Sequence, residues 1–163
     1  MVSGRALVGV ISDTHGYFDP LIPVWFGGVS HILHAGDIGS LEVYEQLLRI
    51  APVIAVSGNV DIEQWSASFK PQQLVELLGV RIWLLHILGN PHRLPQYIAK
   101  KILRIQPQVV VFGHSHQPCM ERIGSILFFN PGSAGPKRFH LPRCLGLLEI
   151  EGEEVRTRII DLQ

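Results

Sequence analysis

Short apolar runs recur along the chain, and most of them stop at an aspartate, an asparagine or a histidine. Residues 6–11 read ALVGVI and stop at Ser12-Asp13. Residues 31–34 read HILH and lead to Ala35-Gly36-Asp37, and residues 53–56 lead to Ser57-Gly58-Asn59. A short apolar run bounded by turn residues suits a buried strand. Between the second and third runs, residues 41–50 carry Leu41, Tyr44, Leu47 and Leu48 at helical spacing, with Ser40 placed to cap the helix. Strand alternating with helix predicts a parallel sheet covered by helices.

The pattern changes in the second half. Residues 73–78 and 80–85 flank Gly79 as the arms of a hairpin, and the second arm ends at His86. Residues 95–105 are helical, with Pro95 suited to the first turn. Residues 109–112 form another buried strand and end in Gly113-His114-Ser115-His116. Two strand pairs follow, 119–123 with 126–130 and 144–150 with 155–160, turning at Gly124 and Gly152. No linker, repeat or low-complexity stretch interrupts the chain, so residues 1–163 are expected to form one domain. Hairpins after βα units predict an α/β fold with two sheets packed face to face between helices.

Composition narrows the function classes. With 163 residues, 47% of them apolar and 17% charged, the chain has globular composition. The formal net charge is zero, so nothing favours a nucleic-acid backbone as a stable partner or an anionic membrane surface. The same balance leaves little charge repulsion against a homo-oligomer. No apolar run approaches the ~18 residues of a membrane helix. Residues 1–5 lack the layout of a secretory signal, and Cys119 and Cys144 have neither metal nor disulfide spacing. A cytoplasmic location with reduced thiols is expected.

The chemistry lies at the strand ends. Asp13 and His15 follow the first predicted strand, Asp37 the second and Asn59 the third; His86 ends the hairpin, and His114 and His116 follow the next strand. Ligands of open α/β sheets bind outside the carboxyl ends of the strands, so these side chains are placed to converge on one rim. Carboxylates, an amide and imidazoles together suit a hard or borderline divalent metal. They are too many for one tetrahedral ion, and two ions sharing a carboxylate would use them all. Taken singly, each element has a plainer reading. Asp13-Thr14-His15 can be a capped turn, Gly36-Asp37 and Gly58-Asn59 ordinary turns, and His86 a core histidine. The ordered combination is what carries weight. His31, His34 and His140 are expected to be structural. His92 and Arg93 fall in a solvated loop that could reach a phosphate.

Asp13-Thr14-His15-Gly16, Gly36-Asp37, Gly58-Asn59, His86 and Gly113-His114-Ser115-His116 resemble, in order, the motifs of the calcineurin-like metallophosphoesterases. Asn130-Pro131-Gly132-Ser133 is similar to a loop of their small prokaryotic phosphodiesterase branch. The resemblance covers residues 5 to about 135. It implies a four-layer αββα sandwich of two mixed sheets with a dimetal site at one edge. It also implies that Asp13, His15, Asp37 and His116 hold one ion, that Asp37 bridges, and that Asn59, His86 and His114 complete the second. Asp37, Asn59 and His114 are then the expected catalytic residues. Two divalent ions are implied, manganese first, with nickel, iron or zinc as alternatives. The implied reaction is in-line attack of a dimetal-bound hydroxide on a small phosphoester, most plausibly a diester.

Two departures stand out. The family usually has a histidine after the asparagine, where this chain has Val60, and valine cannot protonate a leaving group. The family's His-Gly-His is here His86-Ile87-Leu88, which removes one substrate contact. Activated aryl diesters are therefore the test substrates of choice. Val60 also supports an alternative, a catalytically silent interaction module on the same fold, as in the retromer subunit that resembles this family. Against it, His15, His86, His114 and His116 are all present. A single-metal hydrolase such as an amidase is a third possibility, poorly served by Asn59 as a ligand. Loops around Tyr17, Trp65, Phe69 and residues 91–94 are expected to set specificity.

Overall fold

The computed structural model describes residues 4–163, so the reading of residues 1–3 lies outside it. The strands are β1 (Arg5–Ile11), β2 (His31–His34), β3 (Val53–Ala55), β4 (Gln72–Leu77), β5 (Val80–Leu85), β6 (Val109–Val111), β7 (Cys119–Ile123), β8 (Ile126–Asn130), β9 (Cys144–Glu151) and β10 (Glu154–Asp161). The helices are α1 (Ile22–Phe26), α2 (Leu41–Leu48) and α3 (Gln96–Ile105), with a 3-10 turn at Gln64–Ser66. One five-stranded sheet runs β10-β9-β1-β2-β3, and the other runs β4-β5-β6-β8-β7. Each is mixed: β1, β2 and β3 are parallel, as are β5, β6 and β8, while β9, β10, β4 and β7 join antiparallel.

The two-residue period of the strands explains the layers. In β1, Val8 and Val10 face the second sheet, while Ile11 packs on the helical side. In β5, Ile82 and Leu84 face the first sheet, and Trp83 and Leu85 lie beneath α3. Three apolar layers result. The middle one lies between the sheets. One outer layer joins the first sheet to α1 and α2 through Phe26, Val43 and Leu47. The other joins the second sheet to α3 through Ile98 and Ile102. This is the αββα sandwich.

Local sequence accounts for most element ends. Ser40 Oγ accepts the Val43 N–H at 3.3 Å and starts α2. Leu78 and Gly79 both have positive φ, 49° and 81°, and make the tight β4–β5 turn. Small differences from the sequence reading occur at α2, which stops at Leu48, and at Pro95, which sits one residue before α3 rather than inside it. The helix α1 is absent from the sequence reading altogether. Its Ile-Pro-Val-Trp-Phe stretch is only 5 residues long and carries two β-branched and two aromatic side chains. Burial of Ile22 and Phe26 against the first sheet, not helix propensity, holds it.

Candidate metal centre

The strand ends of the two sheets meet at one edge of the sandwich. From the first sheet come Asp13 and His15 after β1, Asp37 after β2 and Asn59 after β3. From the second come His86 after β5, and His114 and His116 after β6. All of the residues singled out from the sequence are brought together here. They form two groups whose candidate ligand atoms lie within 4.8 Å of one another, Asp13-His15-His116 and Asp37-His86-His114.

The groups abut. His116 Nε2 lies 3.3 Å from Asp13 Oδ1, and His15 Nε2 lies 3.2 Å from His116 Nε2. His86 Nε2 lies 3.2 Å from Asp37 Oδ2, and His15 Nε2 approaches the same oxygen at 3.7 Å. Asp37 therefore stands at the junction of the two groups. Asn59 Oδ1 joins the second group, 3.0 Å from His86 Nε2 and 3.2 Å from His114 Nδ1.

The donor chemistry tests whether a cation fits. His86 Nδ1 lies 2.7 Å from the Ala35 carbonyl, which can only accept. That nitrogen therefore carries a proton, and Nε2, facing a carboxylate oxygen and an amide oxygen, either donates to them as part of an imidazolium or gives its lone pair to a cation between them. Either way, the two oxygens facing one point call for a positive charge. Asp13 Oδ1 is buried and, among the described residues, receives no well-aligned hydrogen bond, although His116 Nε2 stands 3.3 Å away; for a carboxylate oxygen this is a costly state. Divalent cations satisfy both features, and the residues present fit them.

Electrostatics agree. Burial raises the Asp37 carboxyl, but hydrogen bonds from His86 and the Val60 N–H (3.0 Å) outweigh it and hold the group at about 2. Burial also opposes ionisation of Asp13, and contacts with His116 and Ser12 reverse the balance. Burial depresses His15, with the Arg138 charge adding to it. For His86, burial lowers and the Asp37 contact raises, and the net direction is up. Metal-free, the site thus consists of ionised carboxylates beside imidazoles.

The backbone is bent to make it. Asp13, His15, Asp37, His114 and His116 all have positive φ, between 46° and 70°. Non-glycine residues rarely adopt this region, and clustering of such residues marks functional sites. Close approach also demands glycine. A β-carbon on Gly58 would collide with Asp37, and one on Gly113 with Ser12 and the Asp13 carboxylate.

An outer ring of contacts was not legible in the sequence. The Asp61 carboxylate accepts N–H groups of Ile38 (3.2 Å), Gly39 (3.1 Å) and Gly58 (2.8 Å), tying the Asp37 loop to the Asn59 loop. Asn130 Nδ2 donates to the Gly113 carbonyl and to Ser115 Oγ, both at 3.1 Å, and so grips the His114-His116 loop. Ser133 Oγ donates to the Asp13 carbonyl at 2.9 Å. His34 is fully buried beneath the site: its Nδ1 accepts the Gly36 N–H at 3.1 Å, and Nε2 pairs with Thr14 Oγ1 at 3.0 Å. The structural role expected of His34 holds. His92 pairs with Glu121 at 2.8 Å on the exposed face of β7, in the solvated setting expected for its loop. Phe69 stacks edge-on with both Tyr44 and Trp65, and all three side chains pack partly buried against the α2 layer.

Residues 7–153 match the calcineurin-like phosphoesterase superfamily domain. The chain belongs to that superfamily. Among similar proteins is a probable metallophosphoesterase of Methanothermobacter thermautotrophicus, 32% identical, with 94% of this chain and 91% of that protein aligned. Phosphodiesterase YfcE of Escherichia coli is 36% identical over 115 residues, which cover 66% of this chain and 59% of that one. Vacuolar protein sorting 29 from Cryptosporidium parvum superposes with a TM-score of 0.82 at 22% identity, covering 98% of this chain and 92% of that chain. The last likeness establishes the fold. The family membership makes the chain a phosphoesterase of the metal-binding type, and the structure brings together two groups of side chains that could each hold a metal ion.

Proposed function

We propose that the protein is a dinuclear-metal phosphodiesterase acting on a small phosphoester, with residues 1–163 as one catalytic domain. Asp13, His15 and His116 would hold one cation, His86, His114 and Asn59 the other, and Asp37 would serve both. The observation that carries this reading is the junction position of Asp37, whose Oδ2 lies 3.2 Å from His86 Nε2 and 3.7 Å from His15 Nε2. When bound, such a cation pair supplies Lewis acidity for the phosphate and a water acidified toward neutral pH. Manganese suits the mixed oxygen and imidazole donors, with nickel, iron and zinc as alternatives.

The chain's own residues orient and limit the reaction. Ala35 fixes the His86 tautomer, as outer-shell acceptors do for metal-ligating histidines. Asp61 and Asn130 hold the loops that present Asp37, Asn59 and His114. Water adds to phosphorus, the bond from phosphorus to the departing oxygen breaks, and that oxygen must leave as an anion or take a proton. Val60, 41% exposed beside Asn59, offers none. General-acid assistance is worth about 10²–10⁴ in rate. Esters of acidic alcohols such as p-nitrophenol are therefore the substrates of choice.

Val60 also favours a second reading, a silent interaction module. The retained imidazoles weigh against it, because unmetallated they leave Asp13 Oδ1 buried without a well-aligned hydrogen bond. The test is hydrolysis of bis(p-nitrophenyl) phosphate by protein loaded with Mn²⁺, with metal content measured in parallel. Turnover that EDTA abolishes, at two ions per chain, supports the proposal. One ion per chain with activity points to a single-metal hydrolase. Full metal loading without turnover of any phosphoester sinks the enzyme reading and leaves the module.

A further inference from the structure

Beside the donor groups, a cavity of about 400 Å³ opens between the start of α3 and the β4–β5 hairpin. Asn59 and His86 form its polar end, so it is continuous with the candidate metal centre. Its mouth is mostly apolar, formed by exposed Pro71, Ile87 and the Tyr97 ring over a floor of buried Trp83 and Ile98, with Lys101 as the charged group of the lining. The volume falls within the range of small-molecule pockets, which pair apolar walls with a few polar groups.

Packing alone does not account for these walls. α3 buries Ile98 and Ile102 on the second sheet, yet Tyr97 is 68% exposed at its first turn. The indole N–H of Trp83 is already satisfied by Gln72 Oε1 at 3.0 Å. Lys101 Nζ lies 5.9 Å from that ring's centroid, a cation–π distance, and also lines the cavity. A polar end built for phosphate and an aromatic-lined end beside it match a molecule with one charged and one flat apolar part.

We propose that this cavity seats the aromatic substituent of a phosphodiester whose phosphate sits at the metal centre, with the exposed ring of Tyr97 as its stacking face and Ile87 at the rim. The inference rests on the phosphoesterase reading above and names its substrate class: diesters bearing a planar aromatic group, in preference to small alkyl diesters.

The test varies one ester group while keeping p-nitrophenolate as the leaving group. Mn²⁺-loaded enzyme is given p-nitrophenyl phenyl phosphate and p-nitrophenyl methyl phosphate. The expected kcat/KM favours the phenyl ester by about three- to tenfold, as stacking on the Tyr97 ring predicts. Tyr97→Ala, at an exposed position, is expected to cut that preference about three- to tenfold, mainly through KM. Equal kcat/KM for the two esters, or a preference that Tyr97→Ala leaves untouched, overturns the inference. Binding separates its failure from failure of the catalytic reading. Protein loaded with diamagnetic Zn²⁺ is titrated with phenylphosphonate and with methylphosphonate, and the tryptophan indole N–H signals are followed by NMR. A Trp83 shift with phenylphosphonate alone supports the cavity even if no ester turns over. Shifts confined to Trp25 or Trp65, equal shifts with both phosphonates, or no shift with either, overturn it.

Discussion

At the scale of single residues, His34 shows how burial sets charge. Burial, the dominant cause, pushes its imidazole down to about 4, against the pull of Asp61, Asp13 and Asp37; His86 adds to the depression. In the unfolded chain the ring titrates near 6.5. Between those values the unfolded chain binds the extra proton and the folded one does not, so stability rises with pH across the window. The midpoint of denaturant unfolding of EDTA-treated protein is expected to fall as pH drops from about 6.5 to 4. His34→Gln should flatten that slope, and an unchanged slope would remove His34 as its source. His114 carries a different prediction. It is an exposed donor, so His114→Ala should fold normally yet lose bound metal and turnover together, each by more than about 100-fold, beyond the usual outer-shell effect. Metal analysis and p-nitrophenolate release check this, and retained activity removes His114 from the site.

At the scale of elements, the loops after the strands matter more than the strands. Asp61 is the clearest case, because one carboxylate satisfies N–H groups in two loops. Asp61→Ala leaves those donors unpaired and is expected to cost about 1–3 kcal/mol of stability. It should also weaken metal binding by about 10–100-fold. Thermal unfolding and metal titration read the two effects, and an unaffected metal affinity would show that the loops hold their own shape. Asn130→Ala acts on the other sheet, where it frees the Gly113 carbonyl and the Ser115 hydroxyl. Its expected signature is weaker metal binding together with about 1–3 kcal/mol lost in thermal unfolding, because the buried Gly113 carbonyl and Gly132 N–H are left unpaired. The ligands could be read from the sequence because each follows an apolar strand. Asp61 could not, since nothing local distinguishes it from a turn aspartate until Ile38 and Gly39 are beside it.

At the scale of the whole molecule, the site is a seam. Asp13, His15, Asp37 and Asn59 belong to one sheet, and His86, His114 and His116 to the other. A cation bound there ties the sheets together at one edge, so it stabilises the fold as well as serving chemistry. Metal that binds only the folded state, at 100 times its Kd, adds about 2.7 kcal/mol. Saturating Mn²⁺ should therefore raise the melting temperature of the chelated protein by several degrees. His116→Ala, which removes a donor from the second sheet, should abolish most of that rise. A metal-induced shift that survives in this variant would place the ion elsewhere. Among the described residues no helix is long and apolar enough to cross a membrane.

The amino-acid order determined the local facts: which runs are strands, where they stop, and which donors stand at their ends. Apolar period and turn chemistry act over a few residues, so they are written in a few residues. What tertiary structure alone decided is the meeting of those ends. His15 and His116 lie 101 positions apart in sequence and 3.2 Å apart in space. Their contact follows from how two sheets stack and which edges align, a cooperative outcome of burying the shared middle layer. The roles of Asp61 and Asn130, and the cavity beneath Tyr97, were settled at that same step, because each depends on neighbours supplied by a distant part of the chain.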